Sequence, residues 1–225
     1  MLMPRAVEIL TQKIRAGNLN IIRSAFVREF TSKDDQLVPY DVNTITWFHG
    51  KIYRVAYLKE NNISFLPGLR TDEDAYFNLV AWNCTDQRGQ MEEYTYIWRD
   101  NKNSITRCLE QKDYFAKTYL NYIRSQVEGL KKIYALKGEI SGPLTAQTLL
   151  NIFYYYRKAD YYQLPAEEMD SMIQSLKQEV WLPQFLNNGD NWIYCVQHCA
   201  AGNIYDEHIS FYEETFAQWA KRLLT

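Results

Sequence analysis

Cysteine is scarce in this sequence. Four residues, Cys84, Cys108, Cys195 and Cys199, in a chain of 225 are too few for the disulfide framework of a secreted scaffold. No apolar run reaches the roughly 20 residues that would span a bilayer, and no charged-then-apolar leader opens the chain. A reducing, cytoplasmic setting is therefore expected. Charge of one sign is also missing: a formal net charge of -2 excludes indiscriminate attraction to nucleic acid or an anionic membrane. The sequence has no Gly-rich phosphate loop, nucleophile elbow or metalloprotease helix, so the chemistries those motifs serve are not indicated.

Hydrophobic residues make up 47% and charged residues 23%, the balance of an ordinary folded domain. The unusual abundance is aromatic, with 18 Tyr, 10 Phe and 6 Trp. Such rings fill cores, and they also stack on sugars and bases. Pro4 and the spacing of Val7, Leu10 and Ile14 predict a first helix closed by Gly17. Residues 20–30 predict a strand, 31–35 a polar loop, and 44–47 an extended stretch. Residues 51–59 carry a helical pattern with Ile52, Val55 and Leu58 inward. A short strand at 63–65, a Pro67-Gly68 turn, and a helix from the N-cap Asp72 to about Trp82 with Phe77 and Val80 inside come next. A strand at 93–98 and a polar loop at 100–104 complete the first half. Beyond Leu109 the pattern is helical, with Phe115, Tyr119, Tyr122, Ile123 and Leu130 on one stripe. Further helices are expected at 146–157, 166–180, 191–200 and 210–224, with a break at 138–143. The fold class expected is α/β, or α+β in a shortened form: a partial sheet with flanking helices over residues 1–107, then a mainly helical region over 108–225.

Three blocks recur in order in family-2, GT-A-type glycosyltransferases. Trp47-Phe48-His49-Gly50-Lys51-Ile52-Tyr53-Arg54, followed by Asn62-Ile63-Ser64-Phe65, resembles that family's W-x-x-G-K-hydrophobic-Y-R segment. Thr71-Asp72-Glu73-Asp74-Ala75-Tyr76-Phe77 is similar to its E-D-x-x-F motif. Tyr96-Ile97-Trp98-Arg99, with Ser104-Ile105-Thr106, is similar to its Y-x-Y-R…S-x-T segment, with Trp98 in place of the more usual aromatic. The resemblance covers about the first half of the chain and implies a partial GT-A-like sheet.

It also implies sugar transfer from a nucleotide sugar to a hydroxyl of a glycan or other acceptor, with inversion. Such a reaction needs a carboxylate to take the acceptor's proton. Asp74 is the expected base and Glu73 the fallback; simple helix capping by the acidic run is the competing reading. Lys51 and Arg54 are expected to bind phosphate or position the acceptor, or else to form a solvated helix face. Arg99 and Ser104 are assigned to the donor diphosphate, and Trp47 and Trp98 to sugar stacking or to packing. His49 reads as a positioning or packing residue.

The resemblance further implies a nucleotide-binding βαβ region and an Asp-x-Asp element holding a divalent metal, Mn or Mg. Neither is found in this sequence, which starts as if just downstream of them. The chain is therefore expected to be inactive alone and to work with a complementary N-terminal chain, or as a homo-oligomer. A non-catalytic interaction or scaffold protein derived from a transferase is the alternative. Cys195, His198 and Cys199, with His208 nearby, lack the spacing of a zinc site, and buried cysteines on an amphipathic helix are the better reading.

Overall fold

A computed structural model describes residues 1–29, 37–40, 45–69, 71–99, 112–191 and 212–225. The predicted loops at 31–35 and 100–104, the body of the 191–200 helix, Ser104, Cys108, His208 and the Cys195–Cys199 cluster lie outside these residues. The chain divides into two compact units: Met1–Phe65 with Phe77–Glu110, and Leu66–Tyr76 with Gln111–Thr225. The fold class is mixed α/β, with a small sheet and flanking helices followed by a mainly helical region.

The first unit is organised by β1 (Ile21–Glu29). Its residues from Ile21 to Phe26 are buried on both faces, as a central strand requires. Along one edge it pairs antiparallel with β2 (Leu37–Tyr40) and β3 (Lys51–Tyr53), matching Phe26 to Tyr40 and Ile22 to Ile52. Along the other edge it pairs in parallel with β4 (Arg88–Trp98), with a register irregularity around Ala25. The helix α1 (Ala6–Ala16) seals one face, where Leu10 and Ile14 pack with Ile22 and Met91. The predicted first helix and the strands at 20–30 and 93–98 are all present. Val7 is 60% exposed, and Ala6 takes its place in the core.

Two expectations need correcting. Residues 51–59 are not one helix, because Lys51–Tyr53 bonds to the free edge of β1 before α2 (Val55–Glu60) begins. Ile52 therefore faces a strand partner, Val55 is 61% exposed, and Tyr57 is the buried residue, its hydroxyl donating to the Ala81 carbonyl at 2.8 Å. Residues 63–65 and 45–47 form no strand. Ile63 is nonetheless buried, and the ring of Phe65 lies 5.5 Å from that of Phe48. The Pro67-Gly68 turn is present, with Gly68 at φ 82°, and α3 (Glu73–Asn83) follows.

The helical unit is built on α4 (Lys112–Lys137) and α5 (Gly142–Tyr161). Ile123, Val127 and Leu130 recur at turn spacing on α4 and meet Leu149, Ile152 and Phe153 of α5. Gly138 (φ 72°) ends α4, and Ser141 caps α5 by accepting from the Leu144 amide at 3.4 Å, with Pro143 in the first turn. Next come α6 (Glu167–Gln174), a 3-10 turn (Ser175–Gln178), α7 (Leu182–Leu186) and α8 (Tyr212–Leu224). Phe216, Trp219 and Leu223 of α8 complete the core.

Gly50 shows how tightly the W-x-x-G-K block is seated on β1. It has φ 65°, its carbonyl accepts from the Ser24 amide at 2.8 Å, and a Cβ there would lie 2.6 Å from Ser24 Oγ and 2.9 Å from the Ser24 carbonyl oxygen. Backbone strain and overlap act together, so Gly50→Ala is expected to lower unfolding stability by roughly 2–4 kcal/mol in urea titration.

Candidate functional site

The expected substrate-binding residues of the first unit fall into two groups. Trp47, just before β3, and Trp98, at the end of β4, are separated by 51 positions in sequence, yet their rings lie 5.3 Å apart. His49 joins them: its ring stacks on Tyr96 at 4.6 Å and 11°, with Phe26 and Trp98 each 5.2 Å away. The parallel β1–β4 pairing makes this possible by setting Phe26 beside Tyr96 and Arg28 beside Trp98. The Arg28 guanidinium sits 4.8 Å over the Trp98 ring, a cation–π contact. All four aromatic side chains, Trp47, His49, Tyr96 and Trp98, are half-buried, which leaves part of the cluster open to a flat or apolar ligand face.

Burial, reinforced by the nearby Lys51 charge, depresses the His49 pKa to about 4. The imidazole is therefore neutral at physiological pH, with its ring stacked on Tyr96. Lys51 opens β3, and its ammonium donates to the Trp47 carbonyl, tying the two ends of the block together. Arg54 precedes α2 and donates to Asn18 Oδ1 at 2.9 Å. The expected helix face carrying both cations does not form, because a strand intervenes. Arg99 is exposed, with its Nε 3.9 Å from Glu29.

The acidic run belongs to the helical unit. Thr71 Oγ1 accepts from the Asn121 side chain of α4 at 3.0 Å, and Arg124, one turn on, donates to the Pro67 carbonyl at 3.3 Å. Glu73 and Asp74 occupy the first turn of α3, where the helix dipole favours negative charge. Asp74 Oδ1 accepts from the Ala75 amide at 2.8 Å. Asp72 does stand at the predicted helix start, but with φ 59°, the left-handed region, which an ordinary N-cap does not use. Asp tolerates this conformation better than most residues.

Asp72, expected only as a helix N-cap, is the acid of the run whose surroundings the sequence does not show. Its Oδ2 is buried and has no hydrogen-bond partner among the described residues. Burial is the main cause that raises its pKa to about 7; a Thr71 hydrogen bond opposes the shift, and the Asp74 and Glu73 charges add to it. Within electrostatic reach are Tyr122 of α4 and Tyr155 of α5, whose rings stack at 3.8 Å. Burial raises both phenol pKa values, Tyr122's with help from Tyr155 and Asp72, and Tyr155's with help from Asp72. Local pattern marks Asp72 only as an N-cap, because Tyr122 and Tyr155, the groups it acts on electrostatically, lie 50 and 83 residues away in sequence.

Among the described residues no three His, Cys, Asp or Glu side chains converge. No helix among them is long and apolar enough to cross a membrane.

No family model matches the chain, and no curated protein does. Among solved structures it is similar to S. aureus TarS 1–349 in complex with UDP, at 15% identity and a TM-score of 0.47, over 97% of this chain and 64% of that one. It is likewise similar to S. aureus TarS 1–349 in complex with UDP-GlcNAc, at 14% identity and a TM-score of 0.41, over 91% of this chain and 66% of that one. The chain thus spans a little under two thirds of the length of these structures.

The buried acid has a consequence for stability. An Asp whose pKa rises on folding contributes stability that is fully present below its unfolded pKa, near 4, and is lost as pH rises through about 7. The depressed His49 works in the opposite direction at acid pH, so the comparison must be made between variants. Asp72→Asn should match the wild type in thermal unfolding below about pH 4 and gain on it as pH rises from about 4 to about 7, with the difference constant above that.

Proposed function

We propose that this chain supplies the acceptor-side elements of a family-2, GT-A-type glycosyltransferase. In this reading the donor is a nucleotide sugar and the acceptor a hydroxyl of a glycan or another molecule. The chief support is the meeting of two blocks that the resemblance picks out separately: Trp47 and His49 from one, and Trp98 from the other, form a single half-open aromatic cluster. Aromatic faces of this kind bind the C–H faces of sugar rings.

Asp74 takes the role of base, with Glu73 as its fallback. The carboxylate accepts the proton of the acceptor hydroxyl while that oxygen bonds to the anomeric carbon. The bond from that carbon to the diphosphate breaks, and the nucleoside diphosphate leaves with the electron pair. Attack opposite the leaving group inverts the anomeric centre. Lys51 and Arg54 are assigned to substrate positioning, and Arg99 and Ser104 to the diphosphate. In this reading the divalent metal, Mn or Mg, that such enzymes use would be held mostly by residues of the complementary chain. A complementary N-terminal chain would supply the remaining donor site; self-association into a homo-oligomer is the other expected assembly.

Transfer is measured with the chain co-expressed alongside its encoded neighbours, using radiolabelled nucleotide sugars. Asp74→Asn should lower the rate by about 10²-fold or more, the scale of a lost general base, while the purified chain alone transfers nothing. Unchanged transfer by Asp74→Asn would remove the base assignment. A complete lack of transfer in every pairing would favour a scaffold protein derived from a transferase.

A further inference from the structure

A recess that shares no residue with the sites assigned above lies in the helical unit, where the end of α4, the start of α5 and α7 meet. Its volume is about 390 Å³, within the span of roughly 300–1,000 Å³ that small-molecule sites occupy. Three aromatic side chains line it: Tyr134 of α4, Trp181 just before α7, and Phe185 within α7. Trp181 and Phe185 are buried and pack into the helical core, so this apolar floor is fixed. The Trp181 indole N–H is already engaged, donating to Glu179 Oε2 at 3.2 Å. At the rim Val180 is 67% exposed, which leaves apolar surface beside the opening.

The polar lining is made mainly of amides. Gln184 and Asn188 are exposed, and Asn191 is half-buried. Asn191 is held in place, with Nδ2 donating to the Phe185 carbonyl at 3.0 Å and its backbone N–H to the Asn188 carbonyl at 3.1 Å. Asn188 Oδ1 accepts from the Asp190 amide at 2.9 Å, so Nδ2 is what Asn188 offers a ligand. Gly142 makes room for this arrangement, since a Cβ there would overlap Asn191 Oδ1. Glu139 is the one charged side chain among the described residues that line the recess. Residues 192–211, which follow Asn191 in sequence, contain neither Lys nor Arg. A lining of this charge selects against phosphates and carboxylates, which are recognised by cationic donors.

We propose that this recess binds a neutral sugar unit of a glycan, with a C–H face of the ring on the aromatic floor and its hydroxyls on the amides of Gln184, Asn188 and Asn191. An amide both donates and accepts, as does each sugar hydroxyl, so neighbouring hydroxyls are satisfied without any charge on the ligand. The Glu139 carboxylate adds a further acceptor. That the bound sugar belongs to the acceptor chain rests on the transferase reading; the binding itself does not.

The test titrates the full ¹⁵N-labelled chain with glucose, N-acetylglucosamine and maltotriose, and separately with uridine and inorganic phosphate. At least one of the sugars should shift the side-chain amides of Gln184 and Asn188 saturably, with a Kd on the order of 1 mM, the scale of a small ligand in an open site. Gln184→Ala and Asn188→Ala remove exposed side chains and should each weaken binding by about three- to tenfold. Gly142→Ala, which displaces the Asn191 amide, should weaken it as well. The two exposed variants decide the matter even if Gly142→Ala does not fold. No saturable shift in the recess with any of the three sugars would overturn the proposal, as would saturation by uridine or phosphate instead, or sugar binding unchanged in every variant. Saturable sugar binding by a protein that transfers nothing in any pairing would count against the transferase function and leave the recess standing.

Discussion

The segment Leu66–Tyr76 packs among the helices of the second unit, and the character of the acidic run follows from what it meets there. Asn121 holds Thr71, Arg124 holds the Pro67 carbonyl, and the stacked Tyr122 and Tyr155 lie within electrostatic reach of Asp72. An exposed Thr-Asp-Glu-Asp sequence would be three equivalent carboxylates at a helix start. Burial makes them unequal: Asp72 becomes a weak acid, whereas Glu73 and Asp74 remain in the first turn, where the helix dipole supports their charge. The helical unit thereby differentiates residues that the sequence presents as alike.

In the first unit the organising constraint is the central strand β1. Its two-sided burial leaves edges for β3 and β4, and these bring the W-x-x-G-K and Y-x-W-R blocks together. Gly50 lets the first block run flush against Ser24, and the Lys51 ammonium returns to the Trp47 carbonyl. The result is an aromatic cluster whose histidine is neutral and whose surface is only partly covered. The Arg28 guanidinium lies over the Trp98 ring, and the Lys51 charge is near enough to act on His49.

Much of the fold was legible because its elements carry their own periodicity. The α1 stripe, the β-rich run of β1 and the turn-spaced Ile123, Val127 and Leu130 each bury a face that their spacing announces. Residues 51–59 were not legible, since the same apolar positions serve a three-residue strand and a short helix, and the choice lies with the open edge of β1. Periodicity also misplaced Val7 and Val55, where a neighbouring Ala6 or Tyr57 fits the available space. At the candidate site, residue types pointed to Trp47, His49 and Trp98. They marked Asp72 only as a helix N-cap, because desolvation is a property of the tertiary structure and leaves no local mark.

The central claim is that the acidic run is held by the helical core. Hydrogen exchange at the Tyr76 amide, which bonds to the Asp72 carbonyl, tests it most directly in a protein carrying Phe153→Ala. Phe153 is fully buried between α5 and α8, and its truncation weakens that core by about 3–5 kcal/mol. The account predicts that Tyr76 loses protection together with the amides of α4. Full protection at Tyr76 while α4 exchanges freely would contradict it.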